Sequence, residues 1–115
     1  EKWMEILKEF STGLTDWSGF DEYRKNFWQK QLHLYEVPFY YIEYGIAQLG
    51  AIAMWRQYRQ NKEQAMDNYM SALSLGYTKT LKELYATAGI KFDFSPAYVK
   101  ELGDFVKERL VEAGV

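Results

Sequence analysis

The sequence predicts an all-α protein, a bundle of about six helices joined by short loops. Apolar residues recur at steps of three and four along most of the chain, which is the rhythm of one helix face. Residues that cap helix starts and glycines that end helices flank these stretches, at intervals typical of helices in globular proteins. No segment shows the apolar-polar alternation that would indicate a half-buried strand.

The first helix is predicted over Lys2–Phe10, because four apolar residues share one of its faces. These are Trp3, Ile6, Leu7 and Phe10. Residues 11–19 are rich in Ser, Thr, Gly and Asp and predict a loop. Asp21 is expected to cap a second helix that runs to about Leu34, and a further loop is expected over residues 34–37.

The central helix is predicted to start at Pro38 and to run to about Arg59. A proline at the first helical position loses no hydrogen bond, since that N–H has no partner within the helix. Two faces of this helix carry aromatic and apolar groups, so we expect it to be buried. One face carries Tyr41, Tyr44, Gln48, Ala51 and Trp55, and the other carries Phe39, Ile42, Ile46, Leu49 and Ala53.

Three more helices follow, each preceded by a residue that can cap it. The expected caps are Asn61, then Thr78 or Thr80, and finally Ser95, which is followed by a proline. Glycines at positions 76, 89 and 114 are placed to end these helices. Their predicted core residues are Ala65, Met66, Tyr69, Met70, Leu73, Leu81, Leu84, Tyr85, Val99, Leu102, Phe105, Val106 and Leu110.

Composition excludes several classes of protein. Apolar residues make up 48% of the chain and aromatic residues 18%, which is incompatible with a disordered segment. The net charge of -2 argues against a nucleic-acid-binding face, which needs a basic patch. With one histidine and no cysteine, the chain cannot build a usual zinc site alone. The lack of cysteine is compatible with a reducing compartment, and we expect a cytoplasmic location without a membrane span.

Taken by themselves, the polar residues near the centre have structural interpretations. His33, the only histidine, is most simply a hydrogen-bonded structural residue. The tyrosines after it are more often core residues than a site, because a phenol buries a large area and keeps one polar end satisfied. The basic group at the end of the central helix, Arg56, Arg59 and Lys62, favours a solvated helix end over an anion site.

A longer motif changes this balance. Residues 28–48 read Trp-Gln-Lys-Gln-Leu-His-Leu-Tyr-Glu-Val-Pro-Phe-Tyr-Tyr-Ile-Glu-Tyr-Gly-Ile-Ala-Gln, with a His-x-x-x-x-Pro-Phe-Tyr-Tyr-x-x-Tyr core. This run resembles the C-terminal segment of the M3 family of zinc metallopeptidases, and most of all its oligoendopeptidase F and Pz-peptidase branch. The resemblance extends from the loop at Asp16 and Trp17 to the last helix.

The resemblance implies an all-helical, two-lobed enzyme with a deep channel that admits short peptides. In the family, two histidines of a His-Glu-x-x-His helix and a glutamate of the next helix hold the zinc. The glutamate within that motif activates the zinc-bound water. Because none of these residues is in the sequence, we expect the chain to be a C-terminal part of such an enzyme and to be inactive alone. Its expected partners are short peptide substrates and the upstream, zinc-bearing part of the same enzyme.

Three family residues map onto this chain. His33 matches the histidine that holds the substrate backbone or the tetrahedral intermediate at the zinc. Tyr41 and Tyr44 match the tyrosines of the motif, and Tyr44 is expected to point its phenol at the developing oxyanion. One helical turn separates the two tyrosines, so both hydroxyls can face one cleft. A neutral phenol is suited to stabilising charge that exists only in the transition state.

A second hypothesis belongs to another class. Residues 63–75 resemble one helix of a tetratricopeptide unit, with Ala65, Tyr69, Ala72 and Leu73 at its characteristic positions. On this hypothesis the chain is a free-standing helical module that binds a peptide without catalysis. Under the peptidase hypothesis, the aromatic surface left exposed on the isolated chain is expected to promote self-association.

Overall fold

A computed structural model describes all residues, 1–115, and confirms an all-α protein without strands. Seven α-helices and one 3₁₀ helix follow in order, and we number the α-helices in that order. They are α1 (Lys2–Phe10), α2 (Asp21–Asn26), the 3₁₀ helix (Phe27–Lys30), α3 (His33–Glu36), α4 (Ile42–Gln60), α5 (Lys62–Ser74), α6 (Leu81–Thr87) and α7 (Pro96–Glu112). The chain divides into two compact units, Glu1–Tyr41 and Ile42–Val115. None of the helices combines the length and the apolar character needed to cross a bilayer.

The first unit is held together largely by aromatic side chains. The indole N–H of Trp3 donates to the Arg24 carbonyl oxygen at 3.1 Å and joins α1 to α2. The rings of Trp17 and Phe27 meet edge to face with centroids 6.1 Å apart, and the Arg24 guanidinium lies 5.8 Å from the Trp17 ring centroid. No residue of this unit is buried. Its rings therefore touch one another without forming a closed core.

Helix boundaries in the first unit differ from prediction in two places. Asp21 is the first residue of α2 and makes no capping bond, and α2 ends at Asn26 instead of running to about Leu34. Residues 34–36, predicted as part of a loop, instead belong to the single helical turn His33–Glu36. Apolar periodicity does not reveal either difference. Apolar residues can recur at steps of three and four through a 3₁₀ helix or an isolated helical turn as well as through an α-helix.

Three helices of the second unit, α5, α6 and α7, begin at side-chain caps, as predicted. The Asn61 side chain accepts from the Gln64 N–H at 3.1 Å, and the Ser95 hydroxyl accepts from the Tyr98 N–H at 3.3 Å. Of the two threonines considered, Thr80 is the cap of α6 and forms a reciprocal capping box with Glu83. The glycines at 76, 89 and 114 adopt positive φ values of 52°, 71° and 79°, as expected after helix ends.

The core of the second unit lies between α4 and α7. Ala53, Tyr98 and Leu102 are buried together, and Leu102 is completely inaccessible to solvent. Three partly buried residues pack against this cluster, namely Leu49, Ile52 and Ile90. At its edge, Arg56 Nη1 lies 2.6 Å from Glu101 Oε1 and joins the same two helices. This small core holds the middle of α4 against α7.

Most other predicted core residues remain on the surface. In α5 only Ala65 is buried, whereas its other apolar residues are 44–58% exposed; they are Met66, Tyr69, Met70 and Leu73. The expectation that the central helix is buried is likewise wrong, since its buried residues are Gly50 and Ala53 alone. Helical periodicity identifies a face suited to burial, but neighbouring elements decide whether that face is covered.

Candidate active-site residues

The segment between His33 and α4 contains a tight turn centred on Pro38 and Phe39. The Tyr40 N–H donates to the Val37 carbonyl oxygen at 3.2 Å and closes the turn. Phe39 has a φ of 65°, a value that favours glycine at the third position of a proline-containing turn. For a bulky residue this conformation costs about 1 kcal/mol. Since Phe39 is 98% exposed, its side chain gains no burial within this structure to offset that cost.

This turn corrects the predicted start of the central helix. Pro38 occupies the second position of a β-turn and not the first position of a helix. A residue with the φ of Phe39 cannot continue a right-handed helix, so α4 starts three residues later, at Ile42. Tyr41 consequently lies just before α4, and the expectation that Tyr41 and Tyr44 both belong to the central helix is wrong.

The turn brings two tyrosines of the first unit to His33. The rings of His33 and Tyr41 meet edge to face with centroids 5.2 Å apart at 66°. The Tyr40 ring lies nearly parallel to the His33 ring, at 7° and 6.4 Å. His33 is half-buried, whereas both tyrosines are exposed. The imidazole is thus oriented by two rings next to solvent, which suits a group that contacts a ligand.

Tyr44 belongs to the second unit and lies in the first turn of α4. It is 55% exposed, and the other residues of that turn are exposed as well. Two residues later, the Ile46 carbonyl oxygen accepts a hydrogen bond from the Tyr85 hydroxyl at 2.9 Å. The second unit therefore presents the Tyr44 phenol at the exposed end of a helix whose following turn is held by α6.

The second unit also carries an apolar groove of about 480 Å³ between α4, α5 and α6. Small residues of α4 and α5, among them Ala47, Ala51 and Ala72, line it together with larger groups such as Met54 and Leu73. It holds few polar groups, so it offers a place for apolar side chains but no catalytic constellation.

The acidic residues of this chain form no metal site, and two basic residues near the end of α4 are engaged in ion pairs. No three residues among His, Cys, Asp and Glu lie close enough together to hold a metal ion. Arg56 pairs with Glu101, and Arg59 Nη2 lies 3.6 Å from Glu112 Oε2. Two of the three basic residues at the predicted helix end, Arg56 and Arg59, are therefore engaged in ion pairs. The cluster is thus a set of ion pairs between α4 and α7.

Comparison with known families decides the identity of the chain. A family model described as peptidase family M3 matches residues 1–104. The chain belongs to peptidase family M3. The match includes both units and all of the segment from His33 to Tyr44. Comparisons with curated proteins and with solved structures gave no match.

For this M3 chain, sequence reasoning missed two features around the candidate site. One is Tyr40, which was not singled out although it stacks on His33. The other is the turn at Pro38 and Phe39, which sets the position of Tyr41. A proline followed by an aromatic residue is compatible with a helix start and with a turn. Local sequence therefore could not decide between these two structures.

Proposed function

We propose that this chain supplies substrate-binding and transition-state-binding residues to a zinc-dependent endopeptidase of the oligoendopeptidase F type that acts on short peptides. The observation that carries the proposal is the family match over residues 1–104. The His33–Tyr41 ring contact at 5.2 Å supports it, because the two residues assigned to substrate binding are neighbours in the first unit.

Each residue has a chemical role in this proposal. The Tyr44 phenol donates a hydrogen bond to the carbonyl oxygen of the peptide, which becomes negatively charged in the tetrahedral transition state. His33 and Tyr41 hold the substrate backbone by hydrogen bonds from the imidazole and the phenol. Such donors accelerate a reaction when they bind the transition state more strongly than the ground state.

The residues of this chain do not fit a zinc ion. M3 peptidases are generally metallopeptidases, yet no group of three potential ligands exists among the 115 residues. We therefore propose that the zinc ligands and the general base lie outside them, in the part that the resemblance places upstream. On this proposal the upstream part is the main partner of the chain, the site of action is the cytoplasm, and the isolated chain is inactive.

The test is Tyr44→Phe in the full-length product of the gene. Loss of one oxyanion donor is expected to lower kcat on the order of a hundredfold or more while KM changes little. Tyr77→Phe is the matched control, because Tyr77 is fully exposed between α5 and α6. Unchanged kcat in Tyr44→Phe overturns the assigned role.

A chelator separates the peptidase from the helical module that binds peptides without catalysis. The groove between α4, α5 and α6 is the observation that favours the module. Peptide cleavage that stops on addition of a chelator and returns with Zn²⁺ supports the peptidase. Peptide affinity that is unchanged by the chelator, together with an absence of cleavage, supports the module instead.

A further inference from the structure

The hydroxyl of Tyr85 joins α6 to the backbone of α4. It donates to the Ile46 carbonyl oxygen at 2.9 Å. In a regular α-helix this oxygen accepts from the N–H four residues later, that of Gly50, and its second lone pair remains available to the phenol. The bond therefore fixes α4 at a main-chain atom, two residues after Tyr44, and leaves the helix intact.

Gly50 makes the approach of Tyr85 possible. A Cβ atom built at Gly50 lies 2.5 Å from Tyr85 Oη, which is too close for real atoms, and 3.0 Å from Cζ, which is tighter than most real contacts. Any other residue at this position forces the phenol away from Ile46. Gly50 therefore allows α6 to approach α4 closely, whereas no atom lies within 4 Å of a Cβ built at Gly45.

Tyr85 is itself held in place and kept protonated. Its ring meets the Phe92 ring edge to face with centroids 5.1 Å apart, and its carbonyl oxygen accepts from the Ile90 N–H at 3.0 Å. Burial raises the pKa of Tyr85 above its usual range, and the nearby Tyr98 adds to the shift. The phenol is therefore a neutral donor throughout the ordinary pH range.

The bond supports the helical turn that directly follows the one that carries Tyr44. Residues 42–45 are all exposed, and the first fully buried residue of α4 is Gly50. We propose that Tyr85 is a positioning residue: by binding the Ile46 carbonyl oxygen it fixes the first turn of α4 and so the direction of the Tyr44 phenol. This inference rests on the proposed role of Tyr44 in catalysis.

The first experiment is Tyr85→Phe in the full-length product of the gene. It removes the hydroxyl and keeps the ring against Phe92. A small displacement of a catalytic donor is expected to lower kcat about tenfold to a hundredfold with KM nearly unchanged. Tyr77→Phe is the control for the loss of a tyrosine hydroxyl elsewhere, and kcat should be unaffected in it. Unchanged kcat in Tyr85→Phe overturns the inference.

A double-mutant cycle with Tyr44→Phe separates positioning from general weakening of the fold. If Tyr85 acts through Tyr44, Tyr85→Phe causes no further loss of kcat once the Tyr44 hydroxyl is gone. Losses that multiply independently overturn the inference. If Tyr44→Phe itself leaves kcat unchanged, the proposed role of Tyr44 fails and the positioning role falls with it. A loss in Tyr44→Phe but not in Tyr85→Phe refutes positioning alone.

Gly50→Ala provides an independent route to the same contact, should Tyr85→Phe fold poorly. The added methyl group displaces the phenol, so kcat is expected to fall as in Tyr85→Phe. Gly103→Ala in α7 is the matched control, because no atom lies within 4 Å of the added Cβ. Normal kcat in folded Gly50→Ala contradicts the inference.

Discussion

The two units of this chain are stabilised in different ways. In the second unit three helices start at side-chain caps, and Leu102 is fully buried beside Ala53 and Tyr98. In the first unit no helix has a side-chain cap and no residue is buried. The second unit thus contains what a small helical domain needs to be stable, whereas the first holds its aromatic groups at the surface.

The candidate catalytic residues are divided between these units. His33 and Tyr41 lie in the first unit, next to each other, and Tyr44 lies in the second. The proposed function therefore draws two of its three residues from the less buried unit. We propose that the upstream part of the enzyme covers the exposed aromatic groups of the first unit.

Truncation of a buried leucine is expected to produce the largest difference between the units. Leu102→Ala leaves a cavity in the core of the second unit and should lower the free energy of unfolding by about 3 kcal/mol. Leu14→Ala is the control in the first unit, where Leu14 is 89% exposed and its loss should change little. Urea unfolding of both variants measures the difference, and equal effects would show that the contrast in burial has no energetic counterpart.

Self-association should depend on the first unit. Phe10 and Leu14 are 76% and 89% exposed, and apolar surface of this kind favours association. We expect the 115-residue chain to self-associate. The double substitution Phe10→Ser and Leu14→Ser should raise the dissociation constant on the order of tenfold.

Tyr77→Ser is the matched control in the second unit, since Tyr77 is equally open to solvent. Light scattering over a range of concentrations measures all three proteins. A wild-type chain that remains monomeric throughout, or a control that dissociates as much as the double variant, contradicts the role of the first unit.

The smallest expected effect concerns the cap of α6. Thr80 accepts from the Glu83 N–H at 3.3 Å, and its own N–H donates to Glu83 Oε2 at 2.9 Å. Thr80→Ala should destabilise the second unit by about 1 kcal/mol, because it removes the hydroxyl that caps the helix. Thr80→Ser keeps the hydroxyl and should be nearly neutral in the same unfolding experiment. A loss of the same size in both variants would assign the effect to the methyl group.

The same box makes a prediction for pH. Donation from the Thr80 backbone N–H, and then from its hydroxyl, lowers the pKa of Glu83 below its usual range. Its contribution to stability is therefore present above the pKa of the unfolded chain and is lost as the pH falls through the lowered value. Carboxyl-carbon NMR should show this low titration midpoint, and Thr80→Ala should move it upward. A midpoint already in the usual range in the wild-type chain contradicts the capping bond.

Local sequence determined the parts of the fold whose causes are local. The caps Asn61 and Ser95 and the stop at Gly76 were predictable because a few neighbouring atoms satisfy a helix end. The bounds of α1 followed from its apolar face alone. The motif from His33 to Tyr44 indicated the M3 family, which the family match confirms.

Tertiary structure alone decided which apolar faces are covered and that the chain makes a turn at Pro38 and Phe39 before α4. Leu102 is buried while Met70 is not, although both follow helical periodicity, because a neighbouring helix covers only one of them. The turn at Phe39 and the approach of Tyr85 to Gly50 join groups whose proximity no local pattern encodes. Sequence fixes the hydrogen bonds and faces that a segment can offer, and packing with distant segments selects those that are used.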